Sequence, residues 1–147
     1  MKILLAIDDS KYSEAAIKAV IAQGKPEGTE VRVLHIVEPP SLLVTREMGG
    51  YDSSVELAWK AQRKRGQELV AKSAEAIRSH GVKCTAELQE GDAKSKILEE
   101  ADKWGAELIV LGSHGRKGLE RFLLGSVSDA VAHHARCSVE VVRLPST

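Results

Sequence analysis

Lys2-Ile3-Leu4-Leu5-Ala6-Ile7-Asp8-Asp9-Ser10 is the stretch on which the fold turns. Behind Lys2 the run to Ile7 is apolar without alternation, the pattern of a strand buried on both faces as in a parallel sheet. Asp8-Asp9-Ser10 breaks it. From Ser13 to Gln23 the residues Ala15, Ala16, Ala19 and Val20, with Ile17 and Ile21 beside them, repeat at helical spacing, and Ser10 or Ser13 can cap the start. Gly24-Lys25-Pro26-Glu27-Gly28 closes that helix, after which Val31, Val33, Leu34, Ile36 and Val37 form a second β-branched run. A strand-helix-strand unit of about 35 residues reads as βαβ, which commits the chain to parallel pairing.

Outward from this unit the alternation continues. The stretch from Pro39-Pro40 to about Asp52, with Gly49-Gly50 inside it, reads as a loop long enough to suggest a lid. A long helix is predicted from Ser54 to Arg78, with Val55, Ala58, Trp59, Leu69, Val70, Ala74 and Ile77 inward, a bend expected at Gly66 and a stop at Gly81. Val82, Cys84, Ala86 and Leu88 alternate with polar residues, as in a strand at a sheet edge. Gly91-Asp92 caps a helix predicted over Ala93 to Trp104, and Leu108-Ile109-Val110-Leu111, apolar throughout, is a central strand ending at Gly112. A glycine-rich loop and an amphipathic turn (Leu119, Phe122, Leu123) precede a helix from about Ser126 to Ala135 and a last strand from Ser138 to Arg143. The expectation is an α/β protein: one doubly wound domain over 1–147, a five-stranded parallel sheet in the order 3-2-1-4-5, helices on both faces.

Composition narrows the function. The 147 residues carry 21 Lys plus Arg against 21 Asp plus Glu, and aromatics are 3%. A nucleic-acid domain usually shows a basic excess or stacking aromatics, so nucleic acid is not expected. No stretch approaches the roughly 20 apolar residues of a membrane span. The two cysteines, Cys84 and Cys137, lie far apart with no CxxC pair, and read as buried thiols in a reducing compartment. The apolar run at Ile3 to Ile7 is too short for a secretory core and is followed by no small-residue cleavage site, so the expected location is cytoplasmic.

In an open parallel sheet the ligand crevice lies beyond the carboxyl ends of the strands at the switch point, here between the first and fourth strands. Asp8-Asp9-Ser10 would there face Gly112-Ser113-His114-Gly115. The loop continues through Arg116-Lys117-Gly118 to Gly125-Ser126-Val127-Ser128 at the start of a helix. Glycines let backbone amides approach phosphate oxygens and favour positive φ in tight turns, while a helix start favours an anion and Ser126 and Ser128 add hydroxyl donors. The spacing excludes GxxxxGK[ST], because Lys117 stands where glycine is needed, and it excludes GxGxxG, because Ser113 and His114 separate the first two glycines.

The arrangement that is present, GxxG, nine residues, then G[ST], resembles the nucleotide-binding signature of the universal stress protein family. The likeness extends along the chain: the opening Ile-Leu-Leu-Ala-Ile-Asp, Val33-Leu34-His35-Ile36-Val37, Gly91-Asp92-Ala93, Ala106 to Gly112, Leu124 to Ser128, and Cys137 to Val142. What the resemblance implies is a cytoplasmic, stress-responsive homodimer whose last strands pair across a two-fold axis, placing Val139, Val141 and Val142 at the contact. By the same resemblance, members with the glycine signature bind ATP, often with a divalent metal such as Mg or Mn. Ala6, Asp8, Ile36 or Val37, and Leu111 would then line the adenine and ribose end. Gly112, His114, Gly115, Arg116, Gly125, Ser126, Val127 and Ser128 would hold ribose and phosphates, and Asp8 is available to adenine, to ribose or to the metal.

The leading reading is an ATP-binding regulatory module. A slow metal-dependent ATP hydrolase is the second reading, since no arginine finger and no base are assigned, and a dimeric interaction scaffold with structural nucleotide is the third. Other residues read more plainly. Of His133-His134, about 100° apart on a helix, one is expected at the surface and one packed. His35 is expected to be satisfied in the core, and Lys60, Arg63, Lys64 and Arg65 to form a solvated face.

Overall fold

The computed structural model describes residues 1–39, 53–115 and 123–144. Five strands, β1 (Lys2–Ala6), β2 (Glu30–Val37), β3 (Lys83–Glu90), β4 (Leu108–Gly112) and β5 (Ser138–Val142), form one all-parallel sheet in the order β3-β2-β1-β4-β5. Among the described residues four helices accompany them: α1 (Lys11–Gln23), α2 (Ser53–Arg78), α3 (Ala93–Trp104) and α4 (Ser126–His134). The expected architecture and strand order are both present.

Alternation along the buried strands builds a core on each face. Ile3, Leu5, Val31, Val33 and Val110 turn toward Ala16 and Val20 of α1 and Val70, Ala74 and Ile77 of α2. Leu4, Ala6, Leu34, Ile109 and Leu111 turn the other way, onto Ile97 and Ala101 of α3 and Val131 of α4. Unalternating apolar runs at β1 and β4 therefore mean two covered faces, not one.

Local chemistry sets the helix ends. Ser10 caps α1, its side chain accepting from the Ser13 amide, so the helix begins at Lys11, ahead of the expected Ser13. Asp92 caps α3 through the Ser95 amide, and Gly105, at φ 78°, ends it in the left-handed conformation. In α2 the residues Val70, Ala74 and Ile77 are buried as expected, whereas Ala58 is exposed. Gly66, expected as a bend, is instead a point of close approach: a Cβ there would come within 2.9 Å of Leu88 and 3.1 Å of His35.

Two polar ties pin the far side of the sheet. Arg32 of β2 reaches the Glu100 carboxylate of α3 at 2.9 Å and stacks over Trp104 at 4.5 Å, while Gln89 of β3 donates to the other Glu100 oxygen at 3.0 Å. At the end of α2, Arg78 Nε donates to the Cys84 carbonyl of the edge strand at 2.8 Å. No helix among the described residues is long and apolar enough to cross a membrane.

Candidate functional site at the switch point

β1 and β4 are neighbours, with Ala6 level with Leu111, so their carboxyl ends open side by side. Asp8 lies two residues beyond the end of β1 and Ser113 one residue beyond the end of β4. Crossovers depart in opposite directions here: α1 leaves over one face and α4 over the other.

Asp8 is held locally. Its Oδ1 accepts from the Ser10 amide at 2.9 Å and from the Ser13 hydroxyl at 2.9 Å, and its own amide donates to Ser13 Oγ at 2.8 Å. Opposite, Gly115 comes so near that a Cβ would stand 3.0 Å from Asp8 Oδ2. Carboxylate and glycine loop thus face each other, as the sequence suggests.

Ser113 organises the loop. Its amide donates to the Val142 carbonyl at 2.8 Å, and its carbonyl accepts from the Gly125 amide at 2.7 Å and the Ser128 hydroxyl at 2.7 Å. These bonds clamp the first turn of α4 under the loop that follows β4. Amides of a first helical turn have no partner within the helix, so α4 presents donors and the positive end of its dipole there. Ser126 is exposed at that end and Val127 half-buried. Ser128 departs from expectation: it is buried, and its hydroxyl proton is shared between the Ser113 and Gly125 carbonyls, so it braces the loop from beneath instead of adding a donor to the crevice.

Gly112, Gly115 and Gly125 are required for space and not, as expected, for positive φ. None occupies the left-handed region, and Gly125 has φ −72°. At Gly112 a Cβ would lie 2.6 Å from Tyr12 Cβ and 2.8 Å from its backbone carbon; at Gly125, 3.2 Å from His114 Cα. A side chain at Gly112 or Gly125 would push the loop off its supports, and one at Gly115 would crowd the Asp8 carboxylate.

Ala6, Val37 and Leu111 are buried and Ile36 half-buried at the carboxyl ends of their strands. His114 is half-buried, its Nδ1 3.0 Å from Ser113 Oγ and its ring 5.1 Å from that of Tyr12. Arg116, the loop's amphipathic turn at Leu119 and Phe122, and the expected lid over 40–52 lie outside the described residues. His35 is tied as expected, its Nδ1 proton donated to the Ile7 carbonyl at 2.7 Å. His133 and His134 are both exposed, since α4 packs through Val127 and Val131, so the expectation of one packed histidine is not met. Lys60, Lys64 and Arg65 are exposed, and Arg63 is half-buried beside Glu90 at 3.6 Å.

Sequence reading missed Tyr12, Ser13 and Ser113. Tyr12 and Ser13 look like ordinary first-turn residues; only the serine's spacing from the strand-end aspartate hints at a side-chain bond back to it. Ser113 acts through backbone groups, which leave no trace in residue type.

The molecule is thus a doubly wound α/β protein with a glycine-lined crevice at its switch point. The model of the universal stress protein family matches residues 1–143, and the chain belongs to that family. Universal stress protein MJ0531 of Methanocaldococcus jannaschii is 35% identical over 144 residues, covering 98% of this chain and 82% of that protein. The solved structure of protein MJ0577 superposes with a TM-score of 0.84 at 25% identity, covering 99% of this chain and 97% of the other. A universal stress protein family member from Arabidopsis thaliana, solved with AMP bound, shares the fold with a TM-score of 0.72 at 19% identity over 99% of this chain and 93% of its own.

Proposed function

We propose that this chain, as one domain over 1–147, is an ATP-binding regulatory module of the subgroup marked by GxxG-x9-G[ST]. It acts in the cytoplasm as a homodimer paired through Val139, Val141 and Val142 of β5. The observation that carries this reading is the apposition of Gly115 and Asp8, backed by the first turn of α4: space a Cβ would fill, with a carboxylate on one side and amide donors on the other. Ala6, Ile36, Val37 and Leu111 supply the apolar wall for a base, and Asp8 a carboxylate for ribose or adenine. The amides of Gly115, Ser126 and Val127 take the phosphates, with His114 and Arg116 beside them, while Gly112, Gly125 and Ser128 hold that frame. AMP in the Arabidopsis relative supports an adenine nucleotide as the ligand class.

Among the described residues no cluster of three His, Cys, Asp or Glu side chains is arranged for a metal. In this reading a Mg or Mn ion would enter with the phosphates, with Asp8 as an oxygen ligand, and would supply charge neutralisation there.

Thermal unfolding with and without millimolar Mg-ATP tests the reading. A ligand at a hundred times its Kd stabilises the native state by about 2.7 kcal/mol, a shift of several degrees. Unfolding insensitive to Mg-ATP overturns it in favour of an interaction scaffold.

A further inference from the structure

We propose that Ser13, a buried serine bonded to Asp8, is a positioning residue that sets the Asp8 carboxylate for nucleoside contact; this rests on the adenine-nucleotide reading above. Ser13 is 4% exposed, in the first turn of α1. One hydroxyl makes two bonds of opposite sense to a single residue: it accepts from the Asp8 amide at 2.8 Å and donates to Asp8 Oδ1 at 2.9 Å. The Ser10 amide donates to the same carboxylate oxygen at 2.9 Å. Backbone, side chain and helix start thereby close into one ring that fixes both side-chain torsions of Asp8. Its second oxygen is then directed toward Gly115.

Ser13 is itself anchored, its amide donating to Ser10 Oγ at 3.2 Å, so the ring is tied to the helix and not merely to a loop. Only a small side chain that both donates and accepts fits this role. Alanine does neither, and valine fills the site without a polar atom. Without the hydroxyl, Asp8 Oδ1 keeps the Ser10 amide but loses the Ser13 donor and the return bond from its own amide, so its rotamer is held less firmly and the ligand must complete its ordering, which weakens affinity without removing any ligand contact.

The test is a double-mutant cycle on Mg-ATP affinity, measured by calorimetry on the full chain, with apo melting recorded alongside. Ser13→Ala is expected to weaken binding about tenfold beside Asp8 and less than about twofold in the Asp8→Ala background. An equal loss in both backgrounds, or no loss beside Asp8, overturns the proposal, because a purely structural serine has no reason to act through Asp8. Ser13→Thr and Ser13→Val share one shape and differ by the hydroxyl, so any strain from the added methyl cancels between them. Threonine binding about tenfold tighter than valine supports the proposal, and equal affinities overturn it. Failure of the nucleotide reading looks different: the unaltered protein does not bind Mg-ATP, or Asp8→Ala binds it undiminished. A weakened Asp8→Ala beside an unaffected Ser13→Ala overturns the positioning role alone.

Discussion

Gly115 meets the Asp8 carboxylate across the crevice so closely that a Cβ there would fall 3.0 Å from Oδ2 and crowd it. Gly115 is exposed, and among the described residues a Cβ there meets Asp8 alone within 4 Å outside its chain neighbours, so a larger residue is expected to obstruct the crevice at little cost to the fold. Gly115→Val is expected to abolish stabilisation by Mg-ATP while moving the apo melting temperature by no more than about 3 °C. An undiminished nucleotide shift in this variant removes the cradle. Gly125→Val is a poorer experiment, because its methyls would meet Ser113 and His114 backbone and lower apo stability by about 1–3 kcal/mol.

Glu100 is buried and depends on Arg32 and Gln89. Arg32→Ala leaves that carboxylate without its charged partner and is expected to cost about 3 kcal/mol in urea unfolding. Replacing the pair with Arg32→Met and Glu100→Leu should recover more than half of the loss. A double variant as unstable as the sum of its parts would contradict the pairing.

Burial pushes the Cys84 thiol up to about 11, against a smaller opposing influence from Arg78. At pH 8 it carries almost no thiolate in the folded protein. Iodoacetamide should therefore modify Cys84 only as fast as the chain unfolds, in urea, while Cys137 reacts first. Rapid labelling of Cys84 in native buffer, read by mass spectrometry, would show the site to be open.

The Ser95 hydroxyl and amide hold the Asp92 carboxyl below its ordinary range, aided by Lys94. A depressed folded pKa means the cap contributes fully above the unfolded value near 3.9 and is lost as pH falls through the folded one. Asp92→Ala should lower stability by about 1 kcal/mol at pH 7. Once the pH has fallen below the folded value, the variant and the parent should converge. A gap that persists in acid would assign the effect to helix propensity instead.

Sedimentation equilibrium at micromolar concentration should give twice the chain mass if β5 pairs with its counterpart. Monomer alone would remove the strand-pairing contact. Val139 and Val141 pack inward against one core and Val142 against the other, so a substitution confined to the strand's outer edge, not to these side chains, is the one to combine with that measurement.

The fold was legible because burial on two faces writes itself into composition: β1 and β4 lack alternation, β3 alternates from Val82 to Leu88, and the order follows. Ends marked by explicit caps, Asp92 and Gly105 around α3, came out at the right residues. At the start of α1 two serines stood open as caps and Ser10 is the one that serves, since Ser10 and Ser13 are chemically alike and only the folded chain shows which one caps and which grips Asp8. Ala58 misled because alanine is tolerated on either face of a helix, and the paired histidines because α4 is too short to cover a second side. At the crevice the glycine spacing was readable. The reason for it was not, because contacts with Tyr12 and with the Ser113 carbonyl arise between segments about a hundred residues apart or through backbone groups common to every residue.

Arg78 occupies a carbonyl on one margin of the sheet, and the charges of Lys83, Glu87 and Glu90 line the same strand. Another chain seeking to extend the sheet past β3 would have to evict a guanidinium first. The sheet's other margin is β5, and if two copies join there by a two-fold operation each presents its β3 end outward. Under the proposed β5 pairing, assembly by strand addition would then terminate after one step, with a helix-terminal arginine standing at each outer margin.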